Sequence, residues 1–138
     1  MIGLDTNILA RYYIEDQSDN EAQKQRLLAK DIIESTEQLY VAKTVLLEFE
    51  WVMRGFYQFN RQQISSVFEH VSTLSHIKVE DEVNIKQALQ YYEKGLDFAD
   101  AIHLVSYSAC EKIYSFDDKK FSRKAAKLEI QPEIIVPK

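Results

Sequence analysis

The sequence predicts an α/β fold in which a mostly parallel sheet is covered by helices on both faces. Three observations carry that prediction. Short apolar runs such as "MIGLD", "LYVA" and "KIYSF" lack in/out alternation, the pattern of strands buried on both sides. Stretches with apolar residues at helical spacing lie between them, so strand and helix alternate along the chain. An apolar fraction of 46%, with three glycines and two prolines, fits one compact domain spanning residues 1–138.

In chain order, "MIGLD" is too short for a helix and reads as a buried strand, followed by a short helix over "NILARYYI". A second helix is expected from Asn20 to Ser35, carrying Leu27, Leu28, Ile32 and Ile33. Leu39 to Ala42 is a second strand, and Thr44 is the expected N-cap of a third helix with Val45, Phe49, Val52 and Phe56 on one stripe. Ile64, Val67, Phe68 and Val71 mark a fourth helix, "HIKVE" a strand, and Ile85, Ala88, Leu89 and Tyr92 a fifth helix that Gly95 ends. "DFADAIHLVSYSA" is a helix with Phe98, Ala101, Ile102, Val105 and Ala109 inward; "KIYSF" and "EIIVP" are late strands.

The net charge of −5 weighs against nucleic acid as a partner, although two bound divalent cations would nearly cancel it. The run "DKKFSRKAAK" concentrates Lys119, Lys120, Arg123, Lys124 and Lys127 near the C-terminal end, where a solvated helix face is the plain reading. A single cysteine, Cys110, excludes an internal disulfide framework and suits a reducing compartment. No apolar run approaches the roughly 20 residues of a membrane span, and no secretory leader is visible. The expectation is a soluble, cytoplasmic protein.

The acids are where chemistry is expected. In an open α/β sheet, ligands sit outside the carboxyl ends of the strands. Asp5 ends the first strand and Asp117 follows a late one, so both belong at that rim. Asp97 and Asp100 open a helix three residues apart, and Glu48 lies at the edge of the Val45, Phe49 and Val52 stripe, with Glu50 on the opposite, solvent side. Each acid has a plain structural reading: helix cap for Asp5, capping box for Asp97 and Asp100, turn residues for Asp117 and Asp118, an exposed side chain for Glu48. Converging carboxylates, however, repel unless cations neutralise them. Oxygen ligands without a His or Cys set favour magnesium or manganese, and His70, His76 and His103 show no ligand spacing.

These residues resemble a known family. "MIGLDTNIL", the Glu of "VLLEFEW", "DFADAIHL" and "YSFDDKKF" stand in the order and approximate spacing of PIN-domain ribonucleases, with VapC-type toxins of toxin–antitoxin pairs the nearest branch. The resemblance spans nearly the whole chain. It implies a three-layer α/β/α sandwich with a central sheet of four or five strands, and an acidic quartet of Asp5, Glu48, Asp100 and Asp117 that is both catalytic and metal-binding. Thr6 and Asn7 belong to the opening motif, Ser115 stands where a Ser or Thr supports the fourth acid, and Asp97 matches a less uniform acid. Many relatives carry Asp or Asn where this chain has Lys120, which leaves Asp117 and Asp118 both open as the fourth acid.

The implied function is an endoribonuclease using one or two Mg2+ or Mn2+ ions, about 4 Å apart when paired, to hydrolyse RNA phosphodiesters. Thr6, Asn7, Ser115, Lys120 and Arg123 are the expected substrate-binding residues, with Arg11, Lys43 and Arg54 further candidates along the RNA backbone. The resemblance also implies a homodimer and inhibition by a small antitoxin protein. Tyr12, Tyr13, Trp51, Phe56, Tyr57 and Phe59 exceed the aromatic needs of a small core and supply a candidate interaction surface. A haloacid-dehalogenase-type phosphotransferase needs a second Asp where Asn7 stands, and a receiver domain needs an acidic pair beside the first strand. The remaining alternatives are a non-catalytic PIN-fold protein that binds partners and a housekeeping PIN ribonuclease with no toxin role.

Overall fold

A computed structural model describes residues 1–138. By internal packing the chain forms two compact units, Met1–Asp81 and Glu82–Lys138.

The first unit holds three parallel strands in the order β1-β2-β3: β1 (Ile2–Gly3), β2 (Leu39–Val41) and β3 (Ile77–Val79). Ile2 is in register with Leu39, and Leu39 with Ile77. Parallel neighbours need a crossover, and helices provide each one. Between β1 and β2 run α1 (Thr6–Tyr13) and α2 (Asn20–Ile33). Between β2 and β3 run α3 (Lys43–Trp51), a π-helical turn (Val52–Phe56) and α4 (Arg61–Thr73). α4 starts on a full capping box: Asn60 accepts from the Gln63 backbone and Gln63 accepts from the Asn60 backbone, both at 2.8 Å. Leu9, Leu39, Val41, Phe49, Met53 and Ile64 are fully buried, and Phe49 meets Phe68 edge-on at 6.1 Å between ring centres.

The second unit contains α5 (Glu82–Glu93), α6 (Phe98–Ser106), β4 (Lys112–Tyr114), a π-helical turn (Asp118–Ser122), α7 (Arg123–Lys127) and β5 (Glu133–Ile135). β4 and β5 pair in parallel. Its core gathers Ala88, Leu96, Ala101, Leu104, Ile113 and Phe121. Gly95, at φ 111°, takes the left-handed conformation that closes α5.

Every strand pair is parallel, and the α/β architecture is the one expected. The five strands are short and their hydrogen bonds divide as three and two, rather than as a ladder of four or five. Three local expectations fail for identifiable reasons. Thr44 is not the cap of α3: Ala42 precedes the first helical residue and no side chain bonds there. Ala109 lies past the end of α6 and is exposed. The inward stripe of α3 is Leu46, Phe49, Glu50 and Met53, so Phe56 is 71% exposed and Glu50 is 2% exposed. Glu50 tolerates that burial because Arg54, one turn on, donates to it from Nε at 2.8 Å and Nη2 at 3.3 Å. No helix is long and apolar enough to cross a membrane.

Candidate active site

In the first unit, Asp5 stands between β1 and α1. Its backbone is extended (ψ 164°) and its carboxylate accepts the Thr6 N–H at 2.8 Å, so it caps α1. Glu48 is exposed on α3. Asp5, Thr6, Asn7 and Glu48 line one cavity of about 420 Å³ together with Ala10, Arg11, Trp51, Val52, Phe56 and Tyr57. At its wall the Thr6 hydroxyl is buried without a hydrogen-bond partner. A hydroxyl left so is unfavourable by about 1–3 kcal/mol.

In the second unit the acids stand at two helix starts. Asp97 caps α6, accepting the Asp100 N–H at 3.3 Å. Asp117 caps the second π-helical turn, accepting from the N–H groups of Lys120 at 3.0 Å and Phe121 at 3.4 Å. The half-buried Asp100 carboxyl is held above the usual carboxylate range, first by desolvation, then by the charges of Asp97 and Asp117; His103 and Lys124 pull weakly the other way. Ser115 accepts the Asp117 N–H on its hydroxyl at 3.1 Å. Asp118 points its carboxylate at Arg123, 3.1 Å away. Of the two adjacent acids, Asp117 is therefore the one within electrostatic reach of Asp100.

The basic residues divide as well. Arg123 is engaged by Asp118, Lys43 by Asp81 at 3.4 Å and Arg54 by Glu50. Lys120 makes no ion pair; Arg11 hydrogen-bonds Gln25 Oε1 at 2.9 Å and the Tyr57 hydroxyl at 3.5 Å, and its charge also acts on Asp16. Sequence reasoning missed the buried Glu50–Arg54 pair, although the four-residue spacing signals it. Two of the three histidines have structural partners: His70 Nδ1 lies 2.7 Å from the Tyr13 hydroxyl, and His76 Nε2 lies 2.6 Å from the Ile33 carbonyl.

No three His, Cys, Asp or Glu side chains are gathered closely enough to hold a metal ion outright. The donor chemistry nonetheless fits magnesium or manganese. The groups are hard oxygens, the Thr6 hydroxyl lacks a partner, and the charges of Asp97 and Asp117 act on Asp100. Magnesium keeps several waters and is commonly held by one or two carboxylates plus substrate phosphate, so a closed protein cage is not required.

Parallel strands leading into helices that begin on acids, with oxygen donors and no His or Cys set, fit the class of metal-dependent nucleases. The chain belongs to the PIN domain family, which it matches over residues 2–127. PIN domains are generally metal-dependent nucleases, hydrolases of phosphodiester bonds. Comparison with individually curated proteins gives no match.

Proposed function

We propose that this chain is a Mg2+- or Mn2+-dependent endoribonuclease and the toxin of a toxin–antitoxin pair of the VapC type. The observation that carries the reading is the cavity lined by both Asp5 and Glu48 together with Thr6, whose hydroxyl is unpartnered. Bound cations would stabilise charge at phosphorus and supply an activated water. Asp5 and Asp100 are the principal ligands in this reading, with Glu48 and Asp117 completing the set or orienting water. Thr6 and Asn7 hold the Asp5 end of the site, and Ser115 fixes the backbone of Asp117. Lys120, which makes no ion pair, and Arg11, whose charge also acts on Asp16, are suited to contact phosphates, and Arg123 does so only by leaving Asp118.

A second copy of the chain is the expected partner of α2, where Leu27 and Leu28 are 68% and 63% exposed. A small antitoxin that sets an Arg or Lys among the acids would satisfy the same charge as the cations.

The test is RNA cleavage by rigorously purified protein: chelator should abolish it, and magnesium or manganese should restore it. Cleavage undiminished in chelator would sink the metal mechanism. Growth arrest on production of the chain alone, relieved by a small protein encoded beside it, is expected for a toxin. An active nuclease that is harmless when overproduced would be a housekeeping enzyme. Intact, folded protein with no cleavage under any divalent cation would favour the non-catalytic, partner-binding reading.

A further inference from the structure

The first-unit cavity is lined by aromatic rings as well as by acids. Trp51 is 60% exposed and Phe56 is 71% exposed, yet both line the cavity that contains Asp5 and Glu48. Large aromatics left this bare are unfavourable in water unless something covers them.

Their shared placement depends on the backbone. In a regular α-helix, residues five apart point about 140° from each other. Here the helix widens into a π turn, with the Tyr57 N–H reaching the Val52 carbonyl at 3.2 Å. Such i→i+5 closure brings residues five apart to one side, and π turns of this kind recur at functional sites. A Cβ placed on Gly55 would sit 3.7–3.9 Å from three carbons of the Trp51 ring, so the indole lies over the Gly55 position with room for a methyl between them. Two exposed rings lining one cavity offer flat apolar faces to a ligand.

The geometry points to Trp51 and Phe56 as a stacking platform for the base of an unpaired nucleotide, which positions the adjoining phosphate beside Asp5 and Glu48. This inference rests on the nuclease reading and adds to it the residues that position the substrate. The occupant is argued from what shares the cavity. Arg11 brings a cation that forms no ion pair, its hydrogen bonds going to Gln25 and Tyr57 and its charge acting also on Asp16, and the acids line the same cavity as the rings. The volume, about 420 Å³, is that of a small-ligand cleft rather than a duplex groove. Base–aromatic stacking tolerates any sequence, because every base has a π-face, and a paired base has no face to offer.

Trp51 is the only tryptophan, so its fluorescence reports this site alone. The probes are a short mixed-sequence RNA oligonucleotide, its duplex, and the same strand with abasic riboses, titrated in calcium to hold the chemistry in check. Quenching by the single strand, with little from the duplex or abasic strand, is expected. In magnesium, Trp51→Ala should raise KM for single-stranded RNA about tenfold or more with a smaller change in kcat, and Trp51→Phe should restore most of the loss. Phe56→Ala should act in the same direction. All three variants should melt as the wild type does, since neither ring is buried.

Wild-type cleavage with unmoved fluorescence and an undiminished Trp51→Ala variant would overturn the platform while leaving the nuclease intact. A wild-type protein that neither cleaves nor binds RNA would overturn the nuclease reading and the platform with it. Quenching only by a partner protein, with RNA inert, would reassign the surface to protein docking and overturn the inference.

Discussion

The Asp97 carboxylate accepts the backbone N–H of Asp100 at 3.3 Å while its charge opposes ionisation of the Asp100 side chain. The same residue that starts α6 therefore burdens the acid one turn inside it. An acid whose folded pKa is raised stabilises the fold most below its unfolded value, and that contribution is lost as pH rises through the folded value. Asp100→Asn should accordingly raise the melting temperature of the metal-free protein at neutral pH. The gain should vanish under acid conditions, where wild-type Asp100 is protonated. Cleavage should fall on the order of a hundredfold or more, given the usual cost of losing a transition-state charge stabiliser. A variant that is less stable at neutral pH would show that Asp100 serves the fold instead.

Asp117 and Asp118 are chemically alike and adjacent, but their surroundings separate them. Asp117→Asn should lower turnover on the order of a hundredfold, whereas Asp118→Asn should stay within about threefold of wild type. Steady-state cleavage of one RNA by both variants measures the contrast. Equal losses would show that Arg123 does not hold Asp118 out of the reaction.

The Glu50–Arg54 pair should be asymmetric. Arg54→Ala leaves a buried carboxylate with fewer partners and should reduce stability by about 1–3 kcal/mol. Glu50→Leu removes the buried charge and leaves Arg54, half in water, to hydrate, so its cost should be smaller. Urea unfolding of the two variants gives the order directly, and the reverse order would mean that packing around Glu50 dominates.

Lys120→Glu should weaken RNA binding and lower the salt dependence of affinity by about 0.7 or more in log–log slope. Arg123→Glu should do less, because Asp118 already occupies its guanidinium. Affinity measured across a salt series separates the two, and identical slopes would return this helix to a solvated face.

Much of the architecture is legible because strands and helices differ in period. "LYVA" and "HIKVE" are short apolar runs bounded by polar residues, and they became β2 and β3. The capping of α6 is legible in Asp97 and Asp100, since acids three apart suit a helix start. The inward face of α3 is not. Val45, Leu46, Leu47, Phe49, Trp51, Val52 and Met53 are apolar almost all the way around, so periodicity names no single side and Glu50 was expected outside. The π turn adds a shift that a 3.6-residue period cannot represent, and Phe56 moved from the expected core stripe to the surface. The distinction between Asp117 and Asp118 was equally hidden, because it depends on Ser115 two residues before and Arg123 five residues after.

The register of the strands bears on how the chain acquires its shape during synthesis. Ile2 has no strand partner until Leu39 exists, and Leu39 acquires its second neighbour only at Ile77. There is no hairpin among these pairs, so no part of either sheet forms from adjacent residues. Distant pairing must wait for loop closure, whereas helices gain contacts locally and early. As the chain leaves the ribosome, α1 and α2 are complete before β1 has anything to pair with. The strand that ends near Asp5 is thus made well before it is secured. Met1–Asp81 can finish its own pairing once Val79 has emerged, with the β4–β5 pair still unmade.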